Sequence, residues 1–137
     1  MSAQILIVDD HEIVRRGMRS LLSSRPEWKI CGEAADGCEA IEKAKSLRPD
    51  IVLMDVSMPR MDGLAATRVL RRDLPESQVV IVSQNDPFVT LRQAQEVDAA
   101  AFVAKSELSR SLLTTLDQVV GDRHAKKARK SHSSFEV

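Results

Sequence analysis

Several common features are scarce or missing in this chain of 137 residues. No apolar run approaches the ~18 residues that a membrane-crossing helix needs, so no span is expected. The opening MSAQILIVDD carries no basic segment, and two acids follow its short apolar stretch. A signal peptide is built differently, and a cytoplasmic location is expected. Only two cysteines occur, Cys31 and Cys38, at a spacing that matches no metal-ligand pattern. They read as reduced, partly buried small residues. Tyrosine is absent and tryptophan occurs once, which leaves little to stack on a flavin. Net charge is missing as well, because 20 basic residues balance 20 acidic ones.

That balance hides an asymmetry. Arg123, Lys126, Lys127, Arg129 and Lys130 face only Asp122 and Glu136 in the stretch after residue 120. Removing these five bases and two acids leaves a body with a net charge of −3. Such a body is not built to hold nucleic acid. Hydrophobic content of 43% and charged content of 29% are those of an ordinary globular domain. The length suits one domain with a real core. The expected division is a domain over 1–121 and a basic tail over 122–137.

Short apolar runs alternate with helically spaced segments. QILIV (4–8), WKICGEA (28–34), DIVLM (50–54), QVVIV (78–82) and AAFVA (100–104) read as five strands. One apolar helix face joins Ile13, Val14, Gly17, Met18, Leu21 and Leu22. A second joins Ala40, Ile41, Ala44 and Leu47, and a third Leu108, Leu112, Leu116, Val119 and Val120. Further helices fit 62–73, capped by Asp62, and 87–97, with Pro87 in the first turn. The alternation calls for a parallel sheet covered on both faces. With right-handed crossovers, five units suit a doubly wound (βα)5, flavodoxin-like α/β fold of strand order 2-1-3-4-5.

In such a sheet, ligands bind beyond the carboxyl ends of the strands. The first strand ends in Asp9-Asp10, the third in Asp55, the fourth in Ser83, and the fifth just before Lys105. Each has a plain structural explanation: Asp10 as a helix cap, Ser83 as a turn cap, Lys105 as a solvated charge with no buried partner evident. Their convergence on one edge favours a site. Clustered carboxylates repel one another unless a cation offsets them, and an all-oxygen set suits Mg²⁺. Asp55 would keep an oxygen free as a nucleophile for phosphoryl transfer, with Lys105 and Ser83 beside the developing charge.

These residues, with DVSMPRMDG after the third strand, IVS ending the fourth and FVAK ending the fifth, make the chain resemble a response-regulator receiver domain of two-component signalling, through about residue 121. Its opening, VDDHEIVRRGMRSLL, is most similar to NarL/FixJ-type receivers, which commonly precede a LuxR-type helix-turn-helix domain. The resemblance implies that Asp55 is the phosphoacceptor, charged by a sensor histidine kinase or a small acyl phosphate. It implies Mg²⁺ held by Asp10, Asp55 and the Ser57 main-chain carbonyl, with Asp9 helping through water. Ser83 and Lys105 would grip the phosphoryl oxygens, and Phe102 would be the switch aromatic. No enzyme activity is implied beyond the domain's own phosphorylation and dephosphorylation. A phosphorylation-dependent homodimer is a possible outcome, and DNA would be reached only through an output domain outside this chain, with 122–137 as the start of its linker.

The chain departs from the pattern at Gln84, where a small residue or methionine is usual, and at Asp98 and Ala101, where similar receivers often carry glycine. These changes bear on the mobility of the fourth helix, and Asp98 is expected to adopt the left-handed conformation. A flavodoxin would need a Ser/Thr/Gly-rich phosphate loop after the first strand. An Asp-nucleophile phosphatase would need a D-x-D pair. Neither is present. The remaining alternative is a receiver-fold interaction module that works without phosphorylation.

Overall fold

The apolar runs form strands because both faces of each are covered, which lets side chains be apolar at every position rather than at alternate ones. The structure, a computed structural model, describes the backbone of residues 2–135 and side chains through 123. Its strands are β1 (Ala3–Val8), β2 (Trp28–Ala34), β3 (Ile51–Asp55), β4 (Gln78–Ser83) and β5 (Ala101–Ala104). They alternate with α1 (Glu12–Leu22), α2 (Gly37–Leu47), α3 (Gly63–Asp73), α4 (Pro87–Glu96) and α5 (Leu108–Phe135), the last preceded by a 3-10 turn at Lys105–Glu107. All strand pairs are parallel, in the order β2-β1-β3-β4-β5. The order expected from the sequence is the one observed.

Alternation within each strand sorts the core into two layers. Ile5, Ile7, Ile51, Leu53, Val80 and Val82 point towards α1 and α5, where they meet Met18, Leu22, Leu112 and Leu116. Leu6, Val8, Val52, Met54, Val79 and Ile81 point the other way, towards Ala40, Ala44, Ala66, Leu70 and Ala94 on α2, α3 and α4. Each fully buried Ile, Leu or Val contributes about 1.5–3 kcal/mol, so these two layers hold the fold.

Two apolar positions leave the expected faces. Ile13 is 80% exposed, because Val14, Met18, Leu21 and Leu22 form the packing stripe and position 13 lies off it. Leu47 is 42% exposed at the end of α2, where the sheet stops beneath it at the edge strand β2. Cys31 is half-buried as expected, but Cys38 is exposed on the first turn of α2; both are free thiols.

The helix caps follow local chemistry. Asp62 caps α3 by accepting from Ala65 N at 2.8 Å, and Asp86 caps α4 ahead of Pro87. Asp10 does not cap α1; His11 stands there without a side-chain cap. Asp98 has φ 57°. Asp98 N donates to Gln95 O and Ala99 N to Ala94 O, closing α4 in a left-handed Schellman turn as expected. Helix α5 runs through Gly121 to Phe135, since no proline interrupts it. Arg123 ties back to Asp50 at 2.9 Å. The side chains of Lys126, Lys127, Arg129 and Lys130 lie outside the described residues.

Candidate functional site

Because every strand runs the same way, the ends of β1, β3, β4 and β5 meet at one edge. Asp9 is fully buried and Asp55 is 3% exposed. Lys105 reaches between them, its Nζ 2.9 Å from Asp9 Oδ2 and 3.1 Å from Asp55 Oδ1. On the solvent side, His11 Nδ1 lies 3.2 Å from Asp9 Oδ1 and 3.1 Å from Asp10 Oδ1. Asp9 Oδ2 and Asp10 Oδ1 have these nitrogen contacts but no well-directed hydrogen bond. Among the described residues, Asp55 Oδ2 is buried with no hydrogen-bond partner.

Burial is the first reason that the Asp55 carboxyl is pushed up to about 6, and the charge of Asp9 is the second. Lys105 pulls in the other direction without cancelling them, and Asp10 adds a little more. For Lys105, burial works against the ammonium, but the close contacts and charges of Asp9 and Asp55 prevail and its pKa is raised. One cation therefore holds two buried acids. The sequence shows no buried partner for Lys105; the structure supplies two, because β1, β3 and β5 end at one level.

The loop after Asp55 is shaped by close approaches. A Cβ at Gly63 would stand 1.8 Å from Asp55 O, so only glycine lets α3 start there. Gly63 N donates to Val56 O at 2.8 Å, closing the loop on itself. Gly37 N donates to Met61 O at 3.0 Å. Buried Asp36 accepts from Glu39 N at 2.9 Å and pairs with the Arg60 guanidinium, which sits on a backbone with φ 66°. These tethers fasten the loop to the start of α2. Arg15 does similar work for β1, with Nη1 donating to Asp9 O at 2.6 Å and Nε to Glu33 at 2.9 Å.

The structure thus unites Asp9, Asp10, Asp55 and Lys105. Ser83 is buried at the end of β4, where its hydroxyl accepts from Asn85 N at 2.9 Å. No hydrogen bond joins it to Asp55 among the described residues. By strand alternation it shares the α3–α4 face of the sheet with Phe102, which packs half-buried against that layer. Ser57 and Gln84 are exposed. Sequence reasoning overlooked His11, Arg15 and the Asp36–Arg60 pair. His11 directly follows the two acids and was legible there. Nothing local pairs Arg15 with Glu33 or Asp36 with Arg60.

Residues 5–117 match the family profile described as the response regulator receiver domain. The chain belongs to that family. The receiver is 36% identical over 112 residues to the response regulator protein VraR of Staphylococcus aureus, covering 82% of this chain and 54% of the relative. It is 37% identical over 121 residues to a protein-glutamate methylesterase/protein-glutamine glutaminase of Pyrococcus abyssi, covering 85% of this chain and 33% of the relative. The chain thus spans about half and about a third of these relatives. The crystal structure of a LuxR-family two-component response regulator from Aurantimonas superposes with a TM-score of 0.84 at 33% identity, over 90% of this chain and 88% of that one. The likeness to NarL-type regulators read from the opening residues is borne out. No helix among the described residues is long and apolar enough to cross a membrane.

Proposed function

We propose that the receiver takes a phosphoryl group on Asp55 in an Mg²⁺-dependent reaction, and that the resulting change controls an output, transcription being the favoured one. The observation that carries this reading is the unpartnered, buried Asp55 Oδ2 among three acids. A buried carboxylate oxygen with nothing to accept from costs stability, so it points to a ligand. The donor set is all carboxylate apart from His11, which fits Mg²⁺: Asp10, Asp55 and the Ser57 main-chain carbonyl would hold it, with Asp9 behind a water. Bound Mg²⁺ would neutralise the acids and the phosphoryl oxygens. With a pKa of about 6, Asp55 is mostly ionised at neutral pH and available as the nucleophile. Its oxygen forms the new bond to phosphorus as the bond to the kinase imidazole, or to a small carboxylate leaving group, breaks. Lys105 is already placed to follow the charge onto the phosphoryl oxygens.

The phosphoryl donor of this reading is a sensor histidine kinase. A groove of about 440 Å³ between α1 and the start of α5, lined by Val14, Gly17, Leu21 and Leu108, opens beside Lys105 and would seat a helix of that partner. Ser83 would turn from Asn85 N to the phosphoryl group, and Phe102, on the same face, would move with it, changing self-association. Residues 1–121 are taken as the signalling domain and 122–137 as the start of a linker to a DNA-binding output domain.

Incubation with acetyl phosphate and Mg²⁺, followed by intact-mass measurement, tests the assignment. Wild type should gain one phosphoryl mass and Asp55→Asn none; equal labelling of both would refute it. Sedimentation with and without beryllofluoride tests the switch, and identical profiles at high concentration would count against it.

A further inference from the structure

The imidazole beside the acids is not explained by the helix it begins. His11 is the N-cap of α1, with φ −103° and ψ 115°, yet its side chain makes no cap hydrogen bond. Ser, Thr, Asp or Asn at that position would cap the helix with a side-chain oxygen, a stabilisation that histidine forgoes. Its backbone N–H is instead held by Asp9 Oδ1 at 2.8 Å, and the ring turns onto the carboxylates. One donor atom from each of Asp9, Asp10, His11 and Asp55 lies within 4.8 Å of the others. Ligands on opposite sides of a small divalent ion are separated by about 4.2 Å, twice a bond of ~2.1 Å. The His11 nitrogen, 3.1 Å from Asp10 Oδ1, is therefore within reach of an ion that Asp10 and Asp55 would hold. The buried Asp55 Oδ2, which has no partner, independently marks this space as ligand-binding.

We propose that His11 is a nitrogen ligand of this cation site and gives Mn²⁺ and its neighbours among the transition metals an advantage over Mg²⁺. Imidazole nitrogen favours borderline metals, whereas a purely oxygen set with waters suits Mg²⁺. The metal held would then depend on which divalent ion is available. This inference rests on the reading that the pocket takes a divalent cation at all.

The test uses the whole chain with Mn²⁺ and Mg²⁺ as probes. Pulsed electron paramagnetic resonance of bound Mn²⁺ should show coupling to an imidazole nitrogen in wild type and lose it in His11→Ala. Calorimetric titration of that variant should show Mn²⁺ affinity falling about tenfold and Mg²⁺ affinity falling less. His11→Asn, with a side chain that caps helices well, guards against a folding defect: it should fold at least as well and still lose the nitrogen signal. Bound Mn²⁺ without nitrogen coupling would overturn the proposal. So would coupling that persists in His11→Ala, which would assign it to another histidine, or a rise in affinity on removing His11, which would make the ring a competitor of the metal. If neither ion binds wild type, the cation reading itself fails as well.

Discussion

Two aspartates stand at opposite ends of β3, and their surroundings are opposites. Before the strand, Asp50 Oδ2 accepts from Gln4 N at 2.7 Å and Oδ1 pairs with Arg123 at 2.9 Å. Its backbone is equally occupied, N–H donating to Gln4 O and carbonyl accepting from Gln78 N. At the far end, Asp55 has Lys105 on one oxygen and no partner on the other. One apolar strand, packed on both faces, separates them. The first carboxylate fastens the neighbouring chain segments together. The second is held in place by the rest of the fold at a cost in stability, and only something absent from the chain can relieve it. A satisfied carboxylate is structure; a buried one left wanting is a site.

The largest effect should come from removing the cation that restrains the unsatisfied end. Lys105→Ala leaves Asp9 and Asp55 facing each other and should cost about 3 kcal/mol in the metal-free protein by urea unfolding. Saturating Mg²⁺ should return part of this loss. An unchanged midpoint would mean that Lys105 does not hold the acids.

Next come the two aspartates themselves, with opposite signs. Asp50→Ala should destabilise by about 2 kcal/mol through its lost charge-assisted hydrogen bonds. Asp55→Asn should stabilise the metal-free protein by about 1–3 kcal/mol, the worth of the raised pKa. If both mutations move the unfolding midpoint in the same direction, the contrast between the ends is wrong.

The stabilisation at Asp55 has a defined pH window. In the fold the carboxyl keeps its proton to about 6, whereas in the unfolded chain it loses it near pH 4. The folded state therefore binds more protons between those values, and ionisation costs stability as pH rises through them. The gap between Asp55→Asn and wild type should be small below about pH 4, widen to about pH 6 and then level off. A gap that is constant with pH would remove the electrostatic explanation.

The smallest effect lies away from both ends. Asp98→Gly should relieve the left-handed residue that closes α4 and stabilise by up to about 1 kcal/mol. The exposed Arg71–Asp98 pair at 3.6 Å offers little to lose. A destabilised variant would mean that the aspartate side chain contributes more to the turn than its backbone strain costs.

Much of this was legible because it is local. A strand buried on both faces reads as a continuous apolar run, and QILIV, DIVLM and QVVIV could hardly be anything else. Asp62, Asp86-Pro87 and Asp98 announce helix ends through residues whose side chains or backbone preferences act within four positions. The spacing of Asp9, Asp10, Asp55, Ser83 and Lys105 was readable too, since parallel topology sends every strand end to one edge. Less legible was Ile13, whose exposure depends on which of two adjacent apolar positions α1 turns towards β1. Arg123 read as tail but serves Asp50, because α5 runs back along the sheet to the start of β3.

By itself, then, the sequence determined the elements, their order and the identity of the converging residues, all set by hydrophobic period, capping chemistry and chain direction. Only the tertiary structure decided which charges meet. Lys105 joining Asp9 to Asp55 and Arg60 closing on Asp36 are distances between side chains from different segments. Burial and pKa depend on those distances, because a carboxylate's energy is set by what surrounds it in space, and no local pattern of residues encodes that.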